Sequence, residues 1–420
     1  MSSVPPVRDV AALNLPGSYM VLELTNRCPL KCGHCAVSEA DSGHPHYKTI
    51  EHMSVGMVRE LLIDLRESGL RFDNLVLFWL GEPLSNPDFV EIYNLILEHS
   101  GDGEIFGKLE VHTNTFPLKE SIAAAALNDR AIPQVWHLTM DAIHADTFNV
   151  IKGLDAFDKS QRQSLKMVQL KGATQSKWPK LAMQFIVSDV NAAEAEEFVD
   201  FWTAAYTEAG LPIEVTGFHV PVEGPENYIY LKSLDCPTPE EQDRQNRVYA
   251  DLMKRLGLRS PVDPDAERKV EESVPRQLLT PCSGFFMTPT ISSDGRITMC
   301  TRDNAYHLVV GQLGEASFSK IWLENPHLAR RRQMVANGDY SELPYCQTCF
   351  IPHSVNYSSI SEEGLAGFVG GAGLDGGEVV APSGLPSGAR PYPDTYGGVP
   401  VTQVYEDRTG PRLVQIGGGS

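Results

Sequence analysis

Three cysteines constrain this chain more than anything else in it. Cys28-Pro29-Leu30-Lys31-Cys32-Gly33-His34-Cys35 follows directly on the apolar run Tyr19 to Leu24. Thiolates at x3 and x2 spacing can all face one point, so the loop must close around a shared group and the strand ahead of it must hold it still. Three of them can hold three irons of a 4Fe-4S cluster and leave the fourth iron without a protein ligand. A structural zinc site calls for a fourth residue nearby.

The next 200 residues predict the scaffold. Ser54 caps a helix in which Val58, Leu61, Leu62 and Leu65 recur at helical spacing, ending at Gly69. Asn74 to Trp79 is a buried parallel strand running into Leu80-Gly81-Glu82-Pro83. Asn86-Pro87-Asp88 opens a helix carrying Phe89, Ile92, Tyr93, Ile96 and Leu97 on one face. Further strands are predicted at Lys108–Asn114, Val135–Asp141, Leu181–Val187 and Ile213–Phe218, separated by helical sequence such as Leu118 to Asn128. Six β/α units in this length fit a partial (β/α)6, TIM-like barrel better than a closed eight-fold one. In such a fold the carboxyl ends of the strands bind ligands. A strand-end Gly-Glu-Pro by itself is equally a plain turn.

With these residues on one scaffold, the chain resembles the radical S-adenosylmethionine enzymes, whose C-x3-C-x2-C signature follows the first strand of a barrel. The resemblance implies that the open iron is chelated by the amino and carboxylate groups of S-adenosylmethionine, and that the reduced cluster cleaves it to a 5'-deoxyadenosyl radical. Glu23-Leu24-Thr25-Asn26-Arg27 is similar to the subgroup with a C-terminal auxiliary-cluster domain. His34 stands where that family has an aromatic residue packing on the adenine. Gly81, Glu82 and Pro83 resemble the motif that holds the methionyl ammonium, with Leu80 replacing its first glycine. Thr113-Asn114 matches a third-strand motif, with Thr115 in place of glycine. Thr139-Met140-Asp141, Thr147 and Ile151-Lys152-Gly153 match a segment that contacts the cofactor carboxylate, with lysine for the family's arginine.

A second set, Cys282, Cys300, Cys346 and Cys349, has spacing C-x17-C-x45-C-x2-C. Four thiolates close a zinc site or ligate every iron of a cluster, and spacing leaves both open. Ile291 to Cys300 reads as two short strands joined by an Asp-Gly turn, and Phe318 starts a helix running to about Ala336. The resemblance favours one fully thiolate-ligated auxiliary 4Fe-4S cluster in a small α+β twitch/SPASM-type domain.

The expected organisation is a lead-in over 1–18, the barrel over 19–221, a connector over 222–281 that can also cover the barrel mouth, the cluster domain over 282–350 and a Gly/Pro-rich extension over 351–420. One helix, Glu240 to Leu256, is expected in the connector. The extension is read as disordered or loosely packed rather than as a lid, although Val401 to Tyr405 has strand-like texture. The short lead-in leaves no room for a fused peptide-recognition domain.

A formal charge of −19 excludes a nucleic-acid partner. The one basic run, Arg330-Arg331-Arg332, reads as a solvated helix face. No stretch approaches the ~20 apolar residues that span a bilayer and no secretory signal opens the chain, so a cytoplasmic, membrane-free protein is expected. Seven of the eight cysteines fall into the two sets, and Cys236 is left over.

The function expected from the resemblance is a radical oxidoreductase that abstracts hydrogen from an unactivated C–H bond and passes an electron to the auxiliary cluster. A sugar-like or other natural-product alcohol is the favoured substrate. A peptide-modifying maturase, performing cross-linking or epimerisation, is the alternative, and a non-catalytic iron-sulfur electron carrier is a further one. An external one-electron donor such as flavodoxin or ferredoxin is implied. Proton removal needs a base, for which His112, His219 and Glu214 are candidates, while Cys236 is a candidate hydrogen-atom donor.

Overall fold

The computed structural model describes residues 13–15, 17–35, 49–101, 103–218, 227–236, 238–262, 282, 284–336, 339–347 and 349, together with the backbone of 395–396 and 399–400. His219, residues 222–226, 237 and 263–281 of the expected connector, and the strand-like stretch from Val401 lie outside the described residues.

The parallel core is built from β1 (Tyr19–Leu22), β2 (Asn74–Leu77), β3 (Leu109–Thr113), β4 (Gln134–Thr139), β5 (Lys180–Val187), β6 (Ile213–Thr216) and β7 (Asn227–Ser233). Between them lie α1 (Val55–Ser68), α2 (Phe89–His99), α3 (Glu120–Ala126), α4 (Ala145–Lys152), α5 (Phe157–Thr174) and α6 (Ala195–Glu208). Alternate strand residues serve two cores. Met20, Leu22, Leu75, Leu77, Leu109, Val111, Trp136 and Leu138 pack on the helices. The intervening residues, including Val21 and Val76 on one side and Val135, Ala182 and Tyr228 on the other, point inward. Helix α1 starts as expected, with Ser54 Oγ accepting from the Met57 amide at 3.2 Å, and ends on Gly69 in the left-handed region at φ 73°.

Two expectations change. The sixth strand beside β5 is β7, which lies in the stretch read as connector; Ile213–Thr216 forms as predicted but pairs outside β7, at the sheet edge. The Tyr228-Ile229-Tyr230-Leu231 run carries the β-branched and aromatic content of a strand, masked by the polar, proline-dense sequence around it. After β7 the expected helix is present as α7 (Pro239–Arg255).

The cluster domain does not stand apart from the barrel. Strand β8 (Thr290–Ile291) pairs parallel with β1, and β9 (Arg296–Thr298) and β10 (Gly311–Gln312) extend the same sheet antiparallel, giving the order β10-β9-β8-β1-β2-β3-β4-β5-β7-β6. Gly295, at φ 87°, makes the predicted turn between β8 and β9. Buried Glu23 ties the junction, its Oε2 accepting from both the amide and the hydroxyl of Ser293 at 2.9 Å.

The predicted helix from Phe318 to Ala336 is two, Phe318–Glu324 and Pro326–Ala336. Asn325, before a proline, is held extended at ψ 117°, and its Oδ1 accepts from the amides of His327 and Leu328 to start the second. The basic run on that helix is not a solvated face. Arg330 is exposed and pairs with Glu342, but Arg332 is buried, donating to the carbonyls of Phe285 and Trp322 with its guanidinium 4.3 Å from the Trp322 ring centroid. Arg331 reaches the carbonyls of Leu308 and Val309. Among the described residues no helix is long and apolar enough to cross a membrane.

Candidate cofactor and cluster sites

The three-cysteine loop leaves β1 at its carboxyl end and is clamped by backbone from the end of strand β2 and the end of helix α4. Gly81, after β2, lies so close that a Cβ there would sit 1.7 Å from the Thr25 carbonyl oxygen, and the next amide, Glu82 N, donates to Arg27 O at 2.9 Å. On the other side Gly153, which ends α4 at φ 65°, backs onto Lys31, whose carbonyl oxygen would be 2.2 Å from a Cβ. Lys31 N and Gly33 N donate to the carbonyls of Lys152 and Ile151 at 2.9 and 3.2 Å. Two of the expected motif glycines therefore serve close backbone approach around the thiols.

The polar residues expected at the cofactor are mostly engaged with each other. Buried Glu82 joins the ends of β2 and β3: Oε1 accepts from Leu84 N and Thr113 Oγ1, and Oε2 from Asn114 N at 2.7 Å. Burial pushes its carboxyl up to about 7 against those hydrogen bonds. Asn114 Nδ2 lies 3.5 Å from Cys28 Sγ. Thr115, in the glycine position, holds φ 63° with its hydroxyl toward Ser160 O. Asp141 and Lys152 form a buried ion pair of 2.5 Å, with Asp141 Oδ1 also accepting from Ile186 N at 2.7 Å. Burial works against the Lys152 ammonium, but Asp141 and the Cys32 thiol outweigh it and its pKa is raised. Thr139 accepts from Gln184, and Thr147 binds Glu194 rather than the groove. His34 is exposed on the loop, and Pro83 is buried in the turn that Glu82 caps.

All eight cysteines are free thiols. Burial is the largest cause raising Cys28 and Cys32, the latter to about 11, with their loop neighbours adding to it. In the second set, Cys346 is raised by burial and then by Cys282, Cys300 and Cys349, so the other three lie within electrostatic reach of it. Cys282 Sγ takes hydrogen bonds from the amides of Gly284 and Phe285, and Cys300 Sγ from Arg302 N at 3.4 Å. Buried thiols that lie within electrostatic reach of each other and receive amide N–H groups fit a group that binds them as thiolates, and N–H···S bonds raise a cluster's reduction potential. Both sites fit iron-sulfur clusters. Protein with Cys28, Cys32 and Cys35 changed to alanine, purified anaerobically, is expected to keep about four irons per chain; zinc alone in that protein would reject the reading of the second set.

Sequence reasoning missed how closely the two thiol sets share the barrel. Tyr19 on β1 is raised to about 12, first by burial and then by Cys300 and Cys282. Trp79 Nε1 donates to the Thr301 carbonyl at 2.6 Å and packs edge-on to Tyr306, in a cluster that also contacts Cys28 and Cys35. The candidate bases do not converge. His112 lies inside the barrel against Glu110 and His137, whereas Glu214 is exposed on the edge strand β6. Cys236 follows Asp235, which lies 4.0 Å from Arg302, and burial raises its thiol to about 11.

Comparison with known proteins bears on the same two regions. Residues 22–160 match the Radical SAM superfamily and residues 282–350 match the SPASM iron-sulfur cluster-binding domain. The GTP 3',8-cyclase of Listeria monocytogenes is 28% identical over 161 residues, covering 36% of this chain and 44% of that protein. The GTP 3',8-cyclase of Listeria welshimeri is 27% identical with the same coverage, so the chain spans less than half the length of these relatives. The crystal structure of Streptococcus suis SuiB bound to S-adenosylmethionine aligns with TM-score 0.52 at 14% identity, covering 80% of this chain and 71% of that one. SuiB bound to the precursor peptide SuiA aligns equally, with 70% of its chain covered. At such identity the likeness is one of fold.

Proposed function

We propose, from the premise that this chain belongs to the radical SAM superfamily and carries a SPASM iron-sulfur cluster-binding domain behind its barrel, that it is a radical oxidoreductase acting on a substrate in the barrel mouth. The observation that carries the reading is the three-thiol loop at the end of β1, clamped by the backbones of Gly81 and Gly153 and supplied with no fourth cysteine of its own. With a cluster held on that loop, bound S-adenosylmethionine would supply radical chemistry able to take hydrogen from unactivated C–H bonds.

The chain's own part is placement and exclusion of water. Cys28, Cys32 and Cys35 would hold the cluster, and Asn114 lies against Cys28. Glu82 fixes the β2 and β3 ends through Thr113 and Asn114, while the Asp141–Lys152 pair fixes α4 behind the loop. Cys282, Cys300, Cys346 and Cys349 provide a full ligand set for a second cluster, suited to accepting an electron rather than binding substrate. That favours net oxidation of an alcohol of a sugar-like or other natural product, with an external protein as one-electron donor.

A peptide substrate is the second reading. What favours it is the fold shared with SuiB, which was crystallised with its precursor peptide.

Cluster-loaded protein given S-adenosylmethionine and dithionite without oxygen should form 5'-deoxyadenosine, and the variant with Cys28, Cys32 and Cys35 changed to alanine should form none. A fully loaded wild-type protein that forms none would leave an electron carrier as the better description.

A further inference from the structure

Strands β3 and β4 place His112 directly beside His137, both on the inward face. Their rings stack at 4.1 Å between centroids and 11° between planes. Glu110, two residues back on the same face, brings Oε2 to 3.4 Å from His112 Nε2 and 3.6 Å from His137 Nε2. Its other oxygen is taken by Lys108 Nζ at 2.5 Å and Asn74 Nδ2 at 2.8 Å. Phe78 packs on His112 and Tyr230 meets His137 edge-on. The side chains of Glu110 and His137 are 2% and 1% exposed, whereas that of His112 is 26% exposed. His112 is therefore the accessible member, one inward position below Asn114 and its contact with Cys28.

We propose that Glu110, His112 and His137 form a proton-accepting site inside the barrel, which takes the hydroxyl proton of a bound alcohol on His112. A carboxylate oxygen facing both Nε2 atoms favours the Nε2–H tautomer in each ring and makes Nδ1 the accepting atom. In the transfer the substrate O–H bond breaks, its electron pair stays on oxygen, and an N–H bond forms at Nδ1. The imidazolium is then stabilised by Glu110. A second imidazolium stacked 4.1 Å away would be repelled, so the pair takes one proton as a unit. Near-parallel rings send their Nε2 directions along parallel lines that do not converge on an ion, which suits a proton and not a metal. Glu110 and His137 are positioning residues; the groups that tune the site are Lys108 just ahead of β3 and Glu110 on it, Asn74 and Phe78 at β2, His137 on β4 and Tyr230 on β7.

The role in turnover rests on the oxidation of an alcohol proposed above, but the site can be tested without a substrate. Diethyl pyrocarbonate modifies only neutral imidazole, so its rate at His112, mapped by peptide mass spectrometry in cluster-loaded protein, reports protonation against pH. Glu110→Gln removes the favourable charge and leaves Lys108, and should lower the midpoint by about one pH unit, a roughly tenfold loss of proton affinity. Lys108→Met removes the opposing cation and should raise it. Midpoints unchanged in the variants that load, or a His112 that is unreactive at every pH, would overturn the proposal. Formation of 5'-deoxyadenosine does not depend on this site, so its failure would count against the radical reading alone.

Discussion

Gly81→Ala is expected to cost about 3 kcal/mol or more of stability and to empty the three-thiol loop of iron. The added Cβ would lie 1.7 Å from the Thr25 carbonyl oxygen, 2.7 Å from its carbon and 3.0 Å from the Asn26 carbonyl carbon. All three are backbone atoms that lead into Cys28, so no rotamer change relieves the contact. Either the end of β1 or the end of β2 must move, and the Glu82 N to Arg27 O hydrogen bond between them is lost. Chemical denaturation and iron content after anaerobic reconstitution check this. Wild-type stability with full loading would mean that the two strand ends are not clamped as described.

Lys152→Met is the second large effect, expected at about 3–5 kcal/mol. The pair it breaks is buried on both sides, and Asp141 sits in a left-handed conformation at φ 61° that its hydrogen bond to Ile186 N helps to hold. Removing the ammonium leaves a carboxylate uncompensated inside the protein beside the thiols of the loop. The same residue's carbonyl receives Lys31 N, so a disturbed α4 end reaches the cysteine loop directly. Adding Asp141→Asn to Lys152→Met should recover much of the loss, because it removes the stranded charge. Equal stabilities of the single and double variants, measured by denaturant unfolding, would contradict this account.

The parts of the molecule set by local chemistry could be read from the sequence. The Ser54 cap, the Gly69 stop and the Gly295 turn each depend on a few neighbouring residues, and each is where it was expected. What depends on pairing between distant segments could not be read. Nothing in Asn227–Ser233 says that it will displace Ile213–Thr216 from the side of β5, and nothing in Thr290–Ile291 says that it will join β1. The arginine run misled because charge in sequence does not reveal a carbonyl-lined pocket; Arg332 is buried where Phe285 and Trp322 offer their oxygens. The motif residues raise the same point at the site. Glu82, Thr113, Asp141 and Lys152 are expected from the sequence to meet a cofactor; what the structure shows is Glu82 bound to Thr113 and Asp141 to Lys152. His112 was one candidate base among several, and only the register of β3 against β4 brings Glu110 and His137 to it.

The central claim is that the loop of Cys28, Cys32 and Cys35 leaves one iron open to the amino-acid end of S-adenosylmethionine. Electron-nuclear double resonance on reduced, cluster-loaded protein tests it most directly, using S-adenosylmethionine labelled with nitrogen-15 in its amino group and oxygen-17 in its carboxylate. Hyperfine coupling of both labels to the cluster is the predicted result. A spectrum in which neither label couples, from protein with full iron loading, would contradict the account.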